Sequence, residues 1–295
     1  MKEINFYHID AFNPDGVFKR NTVPSKLLRK ACGQRGINFC EIDALNFRFF
    51  EERIKINKSD LVYRSNISPI ARLVEKFFIT QGAITFYHNY YRGLYSFEIS
   101  SSFFLYQKYG VPVPKTVFNV SLDREDLKKS VKYLGGFPVI VKDTMSSHGR
   151  GVALADSFPA LFSAIKKFKS SDRDLILREF IKSEVVSHAR LIVLGNKVVD
   201  SIEYLAPPGE FRTNVGEKPI VKPKKFSSEV EKIAIKAVAL KQIEFGGVDI
   251  IFDQKNNPYV MEVNFPCYFP RCQLVTGVNI AGMIVDYLIQ KSKKK

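Results

Sequence analysis

Three oxygen-bearing side chains in the last fifth of a 295-residue chain have the types and spacing to hold a hard cation: Asp249, Glu262 and Asn264. They lie in FGGVDIIFDQKNNPYVMEVN, residues 245–264. Phe245–Phe252 is rich in β-branched and aromatic residues, Gln254–Pro258 supplies turn chemistry, and Tyr259–Val263 returns to strand composition, so a β-hairpin is expected. Side chains two apart share one face of a strand, which puts Glu262 with Asn264, and the hairpin register can bring Asp249 opposite them. Two carboxylates and a carboxamide oxygen suit Mg²⁺, which completes its shell with water and phosphate oxygens. The plainer reading is a hairpin whose polar residues face water. Against it, Asp249 and Glu262 interrupt the apolar runs GGVDII and YVMEVN, where a carboxylate is costly unless paired or metal-bound.

Upstream stretches offer partners for such a cation. Lys142 ends the apolar strand FPVIVKD, where it either snorkels to water or presents a cation to phosphate. The stretch after it, TMSSHGRGVALADS, opens as a loop of small residues and continues into a strand, Gly151–Ala155. Backbone N–H groups at Ser146, Ser147, Gly149 and Gly151 can cover phosphate oxygens there; a plain hairpin loop fits equally well. The GK[ST] ending of a Walker loop is missing. His148 fits a phosphate contact or a solvated loop residue. The strand LILREFI, Leu175–Ile181, would offer backbone groups and Glu179 to an adenine ring. Arg190 is the one basic residue of the apolar strand Ala189–Val193. The loop APPGEFRTNVGEKP, with Arg212 and Asn214 in its middle, is too long to be a mere connection and reads as a binding loop.

The elements that must position these residues follow from the apolar pattern. Residues 1–92 alternate strands (Ile4–Ile9, Ile37–Ile42, Leu61–Arg64, Ala83–His88) with helices (Val23–Gly33, Ala71–Thr80), the rhythm of a parallel α/β layer. No GxGxxG follows the first strand. A helix over Ser96–Tyr109, a strand Thr116–Val120, a helix Asp123–Leu134 and a strand Pro138–Lys142 come next. A hairpin turns at Gly195–Asn196. Ser228 and Glu231 read as a capping box for a helix reaching about Ile243 and burying Val230, Ile233, Ala234, Ala237 and Val238. The last helix is capped by Asn279 and buries Ile280, Met283, Ile284 and Tyr287.

Composition sets outer bounds. With 45% hydrophobic residues the chain can bury two or three packed units. The net charge of +15 favours polyanionic partners such as nucleotides, acidic peptides or nucleic acid, and part of it is the tail Lys291 and Lys293–Lys295. Cys32, Cys40, Cys267 and Cys272 form no CxxC, so neither zinc nor a disulfide framework is indicated. No signal-peptide pattern and no membrane span is read, and a cytoplasmic location is expected.

In this order, Lys142, the small-residue loop, Arg212 with Asn214, and the Asp249–Glu262–Asn264 set resemble the ATP-grasp superfamily, and more closely its RimK-like carboxylate–amine (glutamate) ligases. The resemblance covers nearly the whole chain and is densest over PVIVKD, HGRGV, EFRTN, KIAIKA, GGVDI, VMEVN and TGVNIAG. It implies an α/β (α+β) ATP-grasp fold: an N-terminal Rossmann-like parallel α/β (pre-ATP-grasp) domain over residues 1–92, a central lid subdomain over 93–175 and a C-terminal subdomain over 176–295. It also implies roles. Lys142, with Ser147, Gly149 and Gly151, would meet ATP phosphates; Glu179, Phe180 and Ile181 would receive adenine. Arg190 would stand at the acyl-phosphate end, and Arg212 and Asn214 would hold the phosphate region and reacting group. Asp249, Glu262 and Asn264 would ligate two Mg²⁺ or Mn²⁺ ions.

The chain departs from the family pattern at three places. Ile99 or Ser100 stands where a second ATP lysine is usual. His188 replaces an acidic residue two before Arg190. FPCYFPRC replaces a small Ser-Pro-Gly turn after Asn264, which points to a different substrate pocket.

The chemistry implied is two-step ligation, in which ATP converts a carboxylate to an acyl phosphate and an amine displaces phosphate to form an amide. The partners would be ATP, a glutamate-like amino acid and a carboxylate on a peptide, an acidic protein tail or a small molecule; pairing into dimers or tetramers is common among relatives. No nucleophilic side chain is needed, and Cys267 and Cys272 read as buried thiols. Rival readings are an ATP-binding regulatory protein or a kinase on the same scaffold. A nucleic-acid binder is disfavoured, because no such module is visible and the basic residues are spread along the chain.

Overall fold

The computed structural model describes residues 4–10, 22–47, 49, 56–92, 99–143, 151–168, 175–207, 210 and 220–294. Its first layer is a parallel sheet ordered β2-β1-β3, made of β1 (Asn5–Asp10), β2 (Asn38–Asp43) and β3 (Leu61–Arg64). Alternation along β1 divides its faces. Phe6 joins the core beneath α1 (Val23–Gly33), while Tyr7 and Ile9 join the core beneath α2 (Pro69–Thr80). Both helices open on a hydroxyl cap followed by proline, Thr22 for α1 and Ser68 for α2. The strand expected over Ala83–His88 is a single bridge from Ile84 to Leu61, and the chain then turns into α3 (His88–Arg92). Its apolar residues are buried as a strand's would be, but as irregular chain.

The middle of the chain begins with α4 (Ile99–Lys108) and forms a four-stranded sheet ordered β4-β7-β5-β6. Its members are β4 (Thr116–Val117), β5 (Val139–Asp143), β6 (Val152–Ala155) and β7 (Leu175–Glu179). Helices α5 (Arg124–Tyr133) and α6 (Phe158–Phe168) cover one face, packing Leu127, Val131, Leu161 and Ile165 on Val139, Val141 and Leu177. The opposite face carries Ile140, Lys142, Ile176 and Arg178, because β5 and β7 pair with Ile140 beside Arg178 and Lys142 beside Ile176. The division expected at 175/176 falls at the start of β7, whose partners are β4 and β5; this sheet runs on to Glu179.

The remaining sheet is antiparallel, ordered β10-β9-β8-β11-β12: β8 (Ser187–Leu194), β9 (Lys197–Leu205), β10 (Ile220–Pro223), β11 (Phe245–Phe252) and β12 (Pro258–Asn264). The turn between β8 and β9 falls at Gly195–Asn196, with Gly195 at φ 62°, where a Cβ would also strike the Tyr287 ring. Helix α7 (Ser228–Leu240) buries Val230, Ala234, Ala237 and Val238. Its cap is Ser227 rather than Ser228: Ser227 is extended at φ −63° and ψ 155°, and its hydroxyl accepts from the Val230 N–H.

Helices α8 (Pro270–Thr276) and α9 (Ile280–Lys293) close the chain. Asn279 caps α9 as expected, and Ile280 and Ile284 are buried, but Met283 is exposed and Tyr287 only half-buried. One core spans this sheet, α7, α9 and the α1 face of the first sheet, so Phe6 and Tyr63 share packing with Phe245 and Phe269. Among the described residues, no helix is long and apolar enough to cross a membrane.

Candidate active site in the cleft between the antiparallel sheets

The hairpin of β11 and β12 sets the centre of the site. Asp249 pairs directly with Glu262, and Gly247 with Asn264, so all three oxygen-bearing side chains share one face. The ladder shifts by one residue between Asp249 and Ile250, just past that set. Cross-strand pairing on the other side places Arg190 of β8 against Asp249. Arg190 Nε donates to Asp249 Oδ1 at 2.7 Å and Nη2 to Oδ2 at 2.6 Å, a two-pronged fork. Asn264 Nδ2 adds a third donor to Oδ2 at 3.2 Å, and His188 Nε2 lies 3.9 Å from Oδ1.

Asp249 is 7% exposed. Burial pushes its carboxyl up, but the Arg190 charge and fork, with His188 and Asn264, hold it below the ordinary carboxylate range. Burial likewise opposes the charge on Arg190, and Asp249 outweighs it. Burial lowers His188 against the pull of Asp249, and its ring stacks at 4.5 Å on Tyr204.

Glu262 is the open carboxylate. Its partner is Lys142 across the cleft, with Nζ 3.5 Å from Oε2, and this contact joins β5 of one sheet to β12 of the other. Asn264 Oδ1 accepts no hydrogen bond among the described residues. The chemistry of this donor set fits a hard divalent cation: Glu262 and Asn264 Oδ1 are available, while Asp249 would be shared with Arg190. Among the described residues no group of three His, Cys, Asp or Glu side chains could hold a metal, so water or substrate oxygens would have to complete the shell.

Other expected residues divide into those placed and those outside the described chain. Gly151 is buried at the start of the strand after the loop, and its carbonyl accepts the Asp143 N–H at 2.8 Å. Glu179 spends its side chain on the backbone: Oε1 accepts the Lys115 N–H at 2.9 Å, so its contribution to a base would come from main-chain groups. Phe180 and Ile181 line a shallow cavity of about 350 Å³ with Gln254 and Asn257. Ser146, Ser147, His148, Gly149, Arg212 and Asn214 lie outside the described residues.

The FPCYFPRC segment divides between core and surface. Cys267, Phe269 and Cys272 are buried, whereas Tyr268 is 52% exposed. A Cβ on Gly247 would come within 2.6 Å of Cys267 Sγ, so the glycine two positions before Asp249 makes room for that thiol. Burial pushes Cys267 up to about 12, the state of an inert thiol rather than a nucleophile.

Two cations were not singled out in the sequence. Arg178 is 3% exposed on the Lys142 face; Nε donates to Thr116 Oγ1 at 3.2 Å, and Nη1 is buried without a partner. Burial lowers its guanidinium to about 10, against the pull of Glu262. Lys241, at the C-cap of α7, is 8% exposed. Burial lowers its ammonium to about 8, again opposed by Glu262. In LILREFI the arginine looks like one more strand residue, and Lys241 looks like the helix-end cation the dipole favours. The missed signal was a long cation within an otherwise apolar strand.

Lys142, Arg178, Arg190 and Lys241 thus gather around Asp249 and Glu262, a surplus of positive charge in a cleft between two sheets, suited to a polyanion. Comparison with solved structures gives the class. The ATP-grasp ligase PsnB, in complex with a minimal precursor, superposes with a TM-score of 0.72 over 98% of this chain and 99% of its own, at 15% identity. D-alanine–D-alanine ligase from Bacillus anthracis gives 0.65 over 99% and 98%, at 16% identity. The fold is therefore ATP-grasp.

Sequence narrows the class, since a family model described as a RimK-like ATP-grasp domain matches residues 99–288. The chain belongs to the RimK-like ATP-grasp family. A probable alpha-L-glutamate ligase from Cellvibrio japonicus (strain Ueda107) is 34% identical over 189 residues, 64% of this chain and 62% of that protein. The match thus spans under two thirds of that relative's length.

Proposed function

We propose that the protein is an ATP-dependent carboxylate–amine ligase forming an amide through an acyl phosphate. Its units would be a pre-ATP-grasp domain over residues 1–92, a central lid subdomain from 93 through the end of β7, and a C-terminal subdomain to 295. The observation that carries this reading is the Lys142–Glu262 contact at 3.5 Å, which brings a phosphate-type cation of one sheet onto the open carboxylate of the other. Relatives named as glutamate ligases and family membership support the reaction class.

Glu262 and Asn264, with Asp249 beside them, would hold a divalent cation, which would supply charge neutralisation to the phosphates. The chain's own residues do the rest. Lys142 binds phosphate from the β5 side. Arg190, fixed by its fork to Asp249, presents its remaining N–H groups to charge developing on the acyl phosphate. Arg212 and Asn214 would close on the phosphate and reacting group from their loop, and Ser147, Gly149 and Gly151 would cover the triphosphate. Phe180 and Ile181 would offer backbone groups to the adenine. The carboxylate oxygen attacks the γ-phosphorus as ADP leaves; the amine nitrogen then attacks the acyl carbon, phosphate leaves, and the amine gives up a proton. Rate enhancement comes from positioning and charge rather than a covalent enzyme intermediate.

The substrates of this reading are a glutamate-like amino acid and a carboxylate on an acidic peptide, protein tail or small molecule, consistent with the net charge of +15. The test is phosphate release with ATP and Mg²⁺ across the twenty amino acids, singly and in pairs. Release that needs both a carboxylate and an amine, and disappears in Glu262→Ala, is the expected result. Turnover to ADP with no amine would make the protein a kinase, and tight ATP binding without any turnover would make it a regulator.

A further inference from the structure

Lys241 is a buried cation with nothing to hold it in place as a structural element. No hydrogen bond or ion pair of its ammonium occurs among the described residues, and the ring of Phe265, centred 5.1 Å away, is its one close partner. A lysine that serves packing alone sends its charge to water along an apolar stem, as Lys291 does not need to do because it meets Glu244 and the Thr85 carbonyl. Lys241 meets no protein acceptor among the described residues, and with 8% of its surface exposed its ammonium keeps only a small opening to solvent. A cation–π contact offsets only part of an ammonium's desolvation, and its three donors have no protein acceptor among the described residues.

Its position says what they await. Phe265 follows Asn264 directly, so the ammonium lies at the end of β12 where the cation-holding face ends, and Glu262 is the carboxylate close enough to act on it. An anion seated at Glu262 through a divalent cation would bring phosphate oxygens to this place.

We propose that Lys241 is a nucleotide-phosphate ligand of the cleft, reaching it from the end of α7 while Lys142 approaches from β5. This rests on the nucleotide reading of the cleft given above. Lys241 would be a binding residue, touching phosphate in both the bound and the reacting complex, so it should act on nucleotide affinity more than on the rate at saturation.

The test uses the full chain with Mg²⁺ and titration calorimetry of ATP, ADP, AMP and adenosine against wild type, Lys241→Met, Lys241→Gln and Lys241→Arg. The Met and Gln variants should bind ATP about 10- to 100-fold more weakly, the span expected of one charge-assisted hydrogen bond. Adenosine should bind all four proteins alike, Lys241→Arg should recover part of the loss, and the smallest ligand to suffer identifies the phosphate involved. Without nucleotide, Lys241→Met should melt no lower than wild type, since a buried unpaired charge has been removed.

Unchanged ATP affinity in both uncharged variants would overturn the assignment. So would an equal loss for adenosine, or a sharp fall in melting temperature in both, which would mark Lys241 as structural. Failure of the wild type to bind any nucleotide is a different result: it removes the nucleotide reading itself, and Lys241's role with it.

Discussion

Arg64 and Arg178 are both arginines at the end of a strand and both almost wholly buried, at 1% and 3% exposed, yet their surroundings are opposite. Arg64, in the first sheet, donates Nε to Glu75 Oε2 at 2.7 Å and Nη1 to the Asn66 carbonyl, and its partner Glu75 is fully buried with it. Among the described residues Arg178, in the cleft, has Thr116 for one N–H and no partner for Nη1. The first region answers its buried charge from within the chain, so that charge belongs to stability. The second leaves cations over, which on the proposed reading would meet the negative charge of a ligand.

The sharpest way to break this contrast is Glu262→Gln. On the proposed ligase reading, turnover should fall by at least about 100-fold, because charge stabilisation at the phosphate would be lost. Melting should stay within a few degrees of wild type, as Glu262 has one ion-pair partner among the described residues, at 3.5 Å. A large fall in melting temperature would show that the cleft too is built for stability.

Glu75→Ala should do the reverse. Leaving Arg64 buried and unpaired should cost about 3–5 kcal/mol in denaturant unfolding, with nucleotide affinity unchanged in the folded fraction. Replacing both partners by apolar residues, Arg64→Met with Glu75→Leu, should recover most of that loss.

Acid sharpens the description of the first region. His8 is buried against Ser65, and burial, with Arg29, lowers its ring to about 3 from 6.5. The unfolded chain therefore takes up a proton below pH 6.5 that the native chain refuses until about pH 3. Stability should fall as the pH drops through that window, by up to about 1.4 kcal/mol per unit from this group. His8→Phe should flatten that slope, seen in urea midpoints between pH 6.5 and 4.5.

The smallest effect belongs to Arg35 and Asp286, which tie α1 to α9 with contacts of 2.5 and 2.7 Å at the surface. The Arg35 hydrogen bonds hold the Asp286 carboxyl below its ordinary range. Its contribution is therefore present above the unfolded carboxyl's pKa and lost as pH falls through the lower folded value. Asp286→Asn should lower the melting temperature by a degree or two at pH 7, and the difference should vanish in strong acid.

Local pattern carried far. The composition of β11 and β12 announced the hairpin, and alternation alone put Glu262 and Asn264 on one face, because side-chain period is a property of a strand wherever it lies. Asn279 as a cap and the turn at Gly195–Asn196 were equally local. Errors arose where two adjacent residues could serve or where packing replaced pairing. Ser227 caps α7 in place of Ser228, and the apolar run 83–88 is buried without becoming a strand.

The sequence by itself determined which elements form and which side chains could hold a cation and phosphate, since those depend on residue type and short spacing. Only the tertiary structure decided which charges are answered. Arg190 binding Asp249, Lys142 reaching Glu262 from another sheet, Arg178 keeping a buried Nη1 without a partner among the described residues, and Lys241 lying against Phe265 all depend on distances between segments far apart in the chain. Coulomb energy and desolvation are set by those distances and by burial, and neither can be read along the chain.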